Sequence, residues 1–289
     1  MLVEKITSRQ NPLVKRFRFI RAGGERHHVF LEGVRLIEDA IRAGAHIETV
    51  AFSPQLETTE RGLALLDRLQ QIPCRGAHVS KQVMDAIADT ESPQGVAAIV
   101  SRPHFEIKDV MARPPQLIVI ADELQDPGNL GTIIRTAEAA GATGLITTRF
   151  TVDPFNHKAL RASMGSALRF PIATDLPRSE AFDLCRERGI KIIALESAPP
   201  GPLAVVEDGE PAMQIYTEAK LTGPVALVCG RESSGIAAPA AAAADALVHI
   251  PMADGVESLN VSAAAAVLLY EAARQRRSSA SKTKNGERI

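Results

Sequence analysis

Three short polar stretches of this chain hold residues able to orient a small ligand, and each follows an apolar run. The first is Asp126-Pro-Gly-Asn-Leu-Gly-Thr, with Arg135 six residues beyond Asn129. The second is Gly230-Arg-Glu-Ser-Ser-Gly235, with Glu232 inside it. The third runs from Ile250-Pro-Met through Ser258, Asn260 and Ser262 into an Ala-rich, helix-forming stretch. Polar side chains there meet a helix N-terminus, where four backbone N–H groups have no intrahelical partner. Three strand-to-loop junctions of this kind predict one composite site at the edge of a parallel sheet.

The glycines argue against two common cofactor classes. A dinucleotide site needs Gly-x-Gly-x-x-Gly after a strand, and a phosphate loop needs Gly-x-x-x-x-Gly-Lys-Ser/Thr. Asp126-Pro-Gly-Asn-Leu-Gly131 fits neither. Taken singly, the site residues keep plainer alternatives. Asn129 also suits a turn, and Ser258 and Asn260 suit helix N-caps. Ile250 and Leu259 could be core residues, and Arg135 could pair with Glu138 on its own helix. Glu232 could order its loop or pair with Arg135.

The elements that must position these residues are legible as α/β. Leu117-Ile-Val-Ile120 and Val225-Ala-Leu-Val228 are apolar throughout, the mark of strands covered on both faces. From residue 116 strands and helices alternate, with helices predicted over Leu130–Ala140 and Leu259–Arg274 and a strand over Leu168–Ala173. Ahead of them, residues 31–43 space their apolar side chains as an amphipathic helix, and a compact α/β unit closes near residue 101. The predicted domains are 1–101, a Pro-containing linker at 102–115, 116–275, and a disordered basic tail at 276–289. A Pro/Gly-rich stretch occupies 198–211.

The formal net charge of −1 conceals an uneven distribution. Residues 1–30 carry +5 and residues 271–289 carry +4, so the stretch between carries −10. A basic front can draw a phosphate backbone even on a neutral chain, and Arg9, Lys15, Arg16 and Arg18 are its candidates. The cysteines Cys74, Cys185 and Cys229 form no metal or disulfide spacing and read as small buried hydrophobes. No metal site, membrane span or secretory leader is expected, and cytoplasmic residence follows.

Asn129-x-Gly131-x-x-x-Arg135, Gly230-x-Glu232-x-x-Gly235 and Ile250-Pro-Met through Ser258-Leu-Asn-Val-Ser262 resemble the three signature motifs of the SpoU (TrmH) branch of the SPOUT RNA methyltransferases. They occur in the family's order, over residues 116–272. Ile6-Thr-Ser-Arg-Gln-Asn-Pro-Leu-Val-Lys15, Leu31-Glu-Gly-Val-Arg-Leu36 and Ser92-Pro-Gln-Gly-Val96 resemble its RNA-substrate-binding domain. Arg161-Ala-Ser-Met-Gly165 resembles a shorter segment on the substrate side.

The resemblance implies a trefoil-knotted parallel-sheet catalytic domain behind a smaller α/β RNA-binding domain, assembled as a homodimer. It implies S-adenosylmethionine as cofactor, held around Gly230, Ile250 and Leu259, and methylation of a ribose 2′-hydroxyl, with ribosomal RNA favoured over transfer RNA. Arg135, Asn129, Glu232, Ser258 and Asn260 are the implied catalytic set. The family's arginine has been cast as a general base. A guanidinium lacks an acceptor, so phosphate binding and alkoxide stabilisation, with water or a phosphate oxygen taking the proton, suit Arg135 better. A non-catalytic RNA-binding or ribosome-assembly protein retaining the fold is the alternative.

Overall fold

The computed structural model describes residues 2–196, 213–232 and 235–286; the Pro/Gly-rich stretch at 198–211 lies outside them. The chain divides into two compact units, one of Met1–His104 with Pro154–Arg169 and one of Phe105–Asp153 with Phe170–Ile289.

The first unit begins with β1 (Leu2–Ile6), α1 (Pro12–Arg21), β2 (His28–Glu32), α2 (Val34–Arg42) and β3 (Ile47–Phe52). It continues with α3 (Glu60–Gln70), β4 (Arg75–Val79), α4 (Lys81–Ile87) and β5 (Val96–Ser101). Its five strands lie in the order β1-β4-β3-β5-β2, parallel on the β1 side and antiparallel around β5. α1 starts where Asn11 Oδ1 accepts from Leu13 N at 2.8 Å and Pro12 pre-sets the first turn. The helix predicted over 31–43 begins later, because Leu31 and Glu32 finish β2 and Gly33, at φ 93°, turns the chain into α2. Leu31 and Val34 have helical spacing by coincidence.

The second unit opens with α5 (Ile107–Val110), β6 (Leu117–Ala121), α6 (Pro127–Ala140) and β7 (Gly144–Thr148). The predicted linker thus contains a helix, and Val110 and Met111 sit in the unit's core. Next comes α7 (His157–Ala162), which groups with the first unit. The second unit resumes with β8 (Ile172–Leu176), α8 (Arg178–Glu187), β9 (Lys191–Leu195), β10 (Met213–Ile215), β11 (Val225–Cys229), α9 (Ala238–Ala242), β12 (Ala246–His249) and α10 (Val261–Gly286). The strand predicted over 168–173 starts only at Ile172, since Ser166–Leu168 form a 3₁₀ turn.

Seven parallel strands lie in the order β10-β12-β9-β11-β6-β7-β8. β6, β7 and β11 are buried along their whole length, as helices on both faces require. Burying one such Val, Leu or Ile side chain stabilises by about 1.5–3 kcal/mol.

α10 runs on through residues where a disordered tail is predicted. Arg276 explains its anchoring. The guanidinium donates to Leu221 O (3.0 Å), Pro115 O (2.8 Å), Gln116 O (2.9 Å) and Gly223 O (2.6 Å). A charge count registers that arginine as tail basicity, whereas the fold uses it as a clamp. Cys74, Cys185 and Cys229 are buried free thiols, and burial pushes Cys229 up to about 12. Among the described residues, no helix is long and apolar enough to cross a membrane and no His/Cys/Asp/Glu group could hold a metal ion.

Candidate active site

The three polar loops leave the C-terminal ends of β6, β11 and β12. β6 and β11 are neighbours, and β9 separates β11 from β12. All three loops therefore open at one edge of one parallel sheet, where such sheets bind ligands.

Hydrogen bonds join them. Glu232 Oε1 accepts from Asp126 N (3.0 Å) and from Asn129 Nδ2 (3.2 Å), and Glu232 Oε2 accepts from Gln125 N (3.3 Å). Asn129 Oδ1 then accepts from Asn260 Nδ2 at 2.9 Å. Asn260 Oδ1 accepts from Ser262 N (2.9 Å) and Ser262 Oγ (2.6 Å), at the start of α10. Asn260 is thus a helix cap and a member of the site together. Asp126 caps α6 by accepting from Asn129 N at 2.7 Å, which fixes the backbone from which Asn129 projects. Partial burial alone would raise the Glu232 carboxyl; the backbone N–H groups and the Asn129 amide outweigh it and hold the carboxyl below its usual range. Of its two expected roles, Glu232 takes the loop-ordering one; Arg135 is not its partner.

Beside this network lies a cavity of about 330 Å³. Its lining includes Gly230, Ile250 and Leu259, together with Glu232 and Ser258. Leu259 is 40% exposed, so it is a wall of an open site and not a core residue. Gly230 lets the loop close on itself: a Cβ there would meet Gly235 O at 2.2 Å and Ile236 Cα at 2.8 Å. Leu195 and Glu196, at the end of β9, line the same cavity. No motif marks them; their position at a strand's C-terminal end was the available signal.

Arg135 is exposed on α6, roughly 9 Å along the axis from Asn129. Its side chain makes no hydrogen bond or ion pair among the described residues, and neither does that of Ser258. In the first unit, Lys15 and Arg18 are exposed on α1. Arg9 Nε donates to Gln82 O at 3.2 Å. Arg16 differs from the expectation of a phosphate-binding cation: Glu48 holds its guanidinium with two hydrogen bonds, and Glu25 lies 3.8 Å away. Its charge is met inside the unit by a residue that no local pattern identifies.

A second network escaped sequence reading. Arg178 Nε donates to both oxygens of Asp122 at 2.9 Å, and Thr148 Oγ1 donates to Asp122 Oδ1 at 2.8 Å. Arg178 also pairs with Glu123, which pairs with Arg231 of the second loop. Asp122 is 1% exposed, so Arg178 is what makes its burial tolerable.

Residues 116–270 match the SpoU rRNA Methylase family, and residues 11–98 match the MRM3-like substrate binding domain. An uncharacterized tRNA/rRNA methyltransferase of Synechocystis sp. is 34% identical, with 94% of each chain covered. The 23S rRNA (guanosine(2553)-2′-O)-methyltransferase RlmP of Bacillus subtilis is 30% identical, over 93% of this chain and 98% of that one. The AdoMet-bound rRNA methyltransferase of Sinorhizobium meliloti superposes with a TM-score of 0.77 at 31% identity, covering 94% of this chain and 98% of that one.

Proposed function

This chain belongs to the SpoU rRNA methylase family, and we propose that it transfers a methyl group from S-adenosylmethionine to a ribose 2′-hydroxyl of ribosomal RNA. The observation that carries this reading is the hydrogen-bonded chain Glu232–Asn129–Asn260, which draws three loops together beside a glycine-floored cavity.

The residues present fit the cofactor. Gly230 lets its loop fold back tightly on Gly235 and Ile236 at the cavity wall, and Ile250 and Leu259 offer apolar surface. Bound there, S-adenosylmethionine supplies an electrophilic methyl group on a sulfonium. The chain's own task is to place a ribose oxygen in line with that methyl and to keep it there, a contribution that positioning can make large. Asn260, held by Asn129, orients the acceptor; Ser258 shapes the loop facing it. Arg135 carries a fixed cation that grips an RNA phosphate and stabilises the alkoxide as it develops. A water or phosphate oxygen accepts the proton. Glu232 is no base here, because its carboxylate already accepts three hydrogen bonds that hold the loop.

The same proposal includes a trefoil knot in the second unit, uncommon among folds. It also includes a self-complementary homodimer, α1 with Lys15 and Arg18 as an RNA-holding face, and action in the cytoplasm. The test is mass-spectrometric mapping of ribose methylation in RNA from cells with and without the chain, alongside transfer of labelled methyl to unmodified large-subunit ribosomal RNA by purified protein. Loss of one ribose methylation in ribosomal RNA is expected. An unchanged map, with no transfer in vitro, would overturn the proposal; loss from transfer RNA would redirect its substrate.

A further inference from the structure

Phe150 is 77% exposed and sits in the left-handed backbone region at φ 68°. A single exposed apolar side chain is ordinary on a protein surface. A bulky residue at positive φ is not, because its Cβ crowds the backbone. Such strain persists only where the surroundings fix it, and it gathers at functional sites.

The surroundings here fix it firmly. Gln125 Nε2 donates to both Phe150 O and Glu123 O. Glu123 is itself left-handed, at φ 58°. Its N–H donates to Thr148 Oγ1 (3.1 Å) and Thr151 Oγ1 (3.0 Å), and Thr151 Oγ1 donates to Ala121 O (3.0 Å). Thr148 and Thr151, which flank the Arg149–Phe150 pair, are thus tied to the end of β6, and the ring is left outside. Gln125 also donates its backbone N–H to Glu232, so the turn that carries the ring is one residue removed from the Glu232–Asn129–Asn260 chain. Arg149, the preceding residue, is exposed too. Its side chain makes no hydrogen bond or ion pair among the described residues.

A rigid, outward aromatic ring next in sequence to an exposed cation, joined through Gln125 to the proposed methyl-transfer site, is the arrangement that grips unpaired RNA: bases stack on the ring while the cation meets the backbone. We infer that Phe150 is a stacking platform for a base of the RNA substrate next to the methylated ribose, with Arg149 on an adjoining phosphate. The inference rests on the proposed methyl transfer to RNA and adds the residue that holds the unpaired strand.

The chain contains no tryptophan, so F150W gives a single fluorescent reporter at the position in question. The probes are unmodified transcripts of large-subunit ribosomal RNA and of transfer RNA; the one that wild-type protein methylates is used. On binding it, F150W fluorescence is quenched and methyl transfer stays close to wild type. F150A raises KM for the transcript about tenfold or more, as the loss of one stacked base requires, with kcat and S-adenosylmethionine affinity nearly unchanged. Unquenched F150W fluorescence in a complex shown by filter binding to have formed would overturn the inference, as would an unaltered KM in F150A. A change of oligomeric state in F150A with an unaltered KM would assign the ring to a subunit interface instead, and would overturn it too. Failure of wild-type protein to methylate either transcript would overturn the underlying proposal, and the stacking role with it.

Discussion

Arg135 stands exposed on α6 without a partner among the described residues, which suits a group that meets a substrate and not one that holds the fold. Arg135→Ala should therefore leave stability within about 0.5 kcal/mol and S-adenosylmethionine affinity unaltered, while slowing single-turnover methyl transfer by about 10²-fold or more. Arg135→Lys should recover little, because a point charge lacks the planar fork that grips phosphate; near-normal turnover in that variant would remove the bidentate role. Glu232 behaves in the opposite way, since its carboxylate is tied into the loops. Its folded pKa lies below the ordinary range, so its stabilisation is complete above the unfolded pKa and fades as pH falls through the folded one. Urea unfolding of wild type and Glu232→Gln should differ most at neutral pH, and the gap should narrow as pH drops through and below the carboxylate range. A gap that widens in acid would contradict the hydrogen-bonding account. At this scale residue types were legible and partners were not. Asn129 and Asn260 announce polar loops, but only the fold shows one amide bonding the other across 131 positions. Arg16 reads as a free cation in sequence, whereas in the fold Glu48 holds it.

Elements decide where those residues stand. Apolar runs located β6 and β11 because full burial leaves an unbroken hydrophobic signature. Short or half-exposed strands left weaker marks: β1, with Leu2 89% exposed, and the three-residue β10 were missed. Helix starts shifted where a cap outweighed periodicity, as with Asp126 and Pro127 ahead of the apolar residues of α6. The loop after β11 depends on a glycine for space. Gly230→Ala would drive a Cβ against Gly235 O, a backbone atom that cannot swing aside. Overpacking of this kind costs about 1–3 kcal/mol, and calorimetry should show S-adenosylmethionine binding weakened far more than global stability. Retained affinity would separate this loop from the cofactor. The Asp122–Arg178 pair makes a different demand at the ends of β6 and α8. Arg178→Met strands a buried carboxylate and should cost about 3–5 kcal/mol in urea unfolding; adding Asp122→Asn should return much of it. A loss equally large in the double variant would show that packing, and not charge, sets the cost.

The whole molecule places a basic helix on one unit and the three polar loops on the other. Exposed Lys15 and Arg18 should contribute to the salt dependence of RNA binding. Replacing both with Gln should flatten the slope of log K against log salt by roughly 0.7–0.9 for each phosphate left without its cation. The same pair of changes should leave S-adenosylmethionine binding untouched. The interrupted path of the chain has a sharper consequence. Pro154–Arg169 lies in sequence between parts of the second unit yet groups with the first. Within the first unit it is well secured: α7 packs on β2, His157 Nε2 is 3.1 Å from Asp89, and Gly165 lies so close that a Cβ would meet Asp39 at 2.5 Å. Phe155, Ala159, Leu160 and Leu168 are buried. A fragment of residues 105–289 keeps every proposed cofactor-binding residue, and it should bind S-adenosylmethionine. It also strips the partner surface from that segment and exposes apolar side chains worth roughly 1.5–3 kcal/mol each when buried, a ready site for self-association. Light scattering should therefore find the fragment aggregating, and polar replacements at Phe155, Leu160 and Leu168 should restore a defined species that still binds the cofactor. A well-behaved fragment without those replacements would show that the segment does not depend on residues 1–104 for cover. A soluble fragment blind to S-adenosylmethionine would show that the three loops need the first unit to hold their shape.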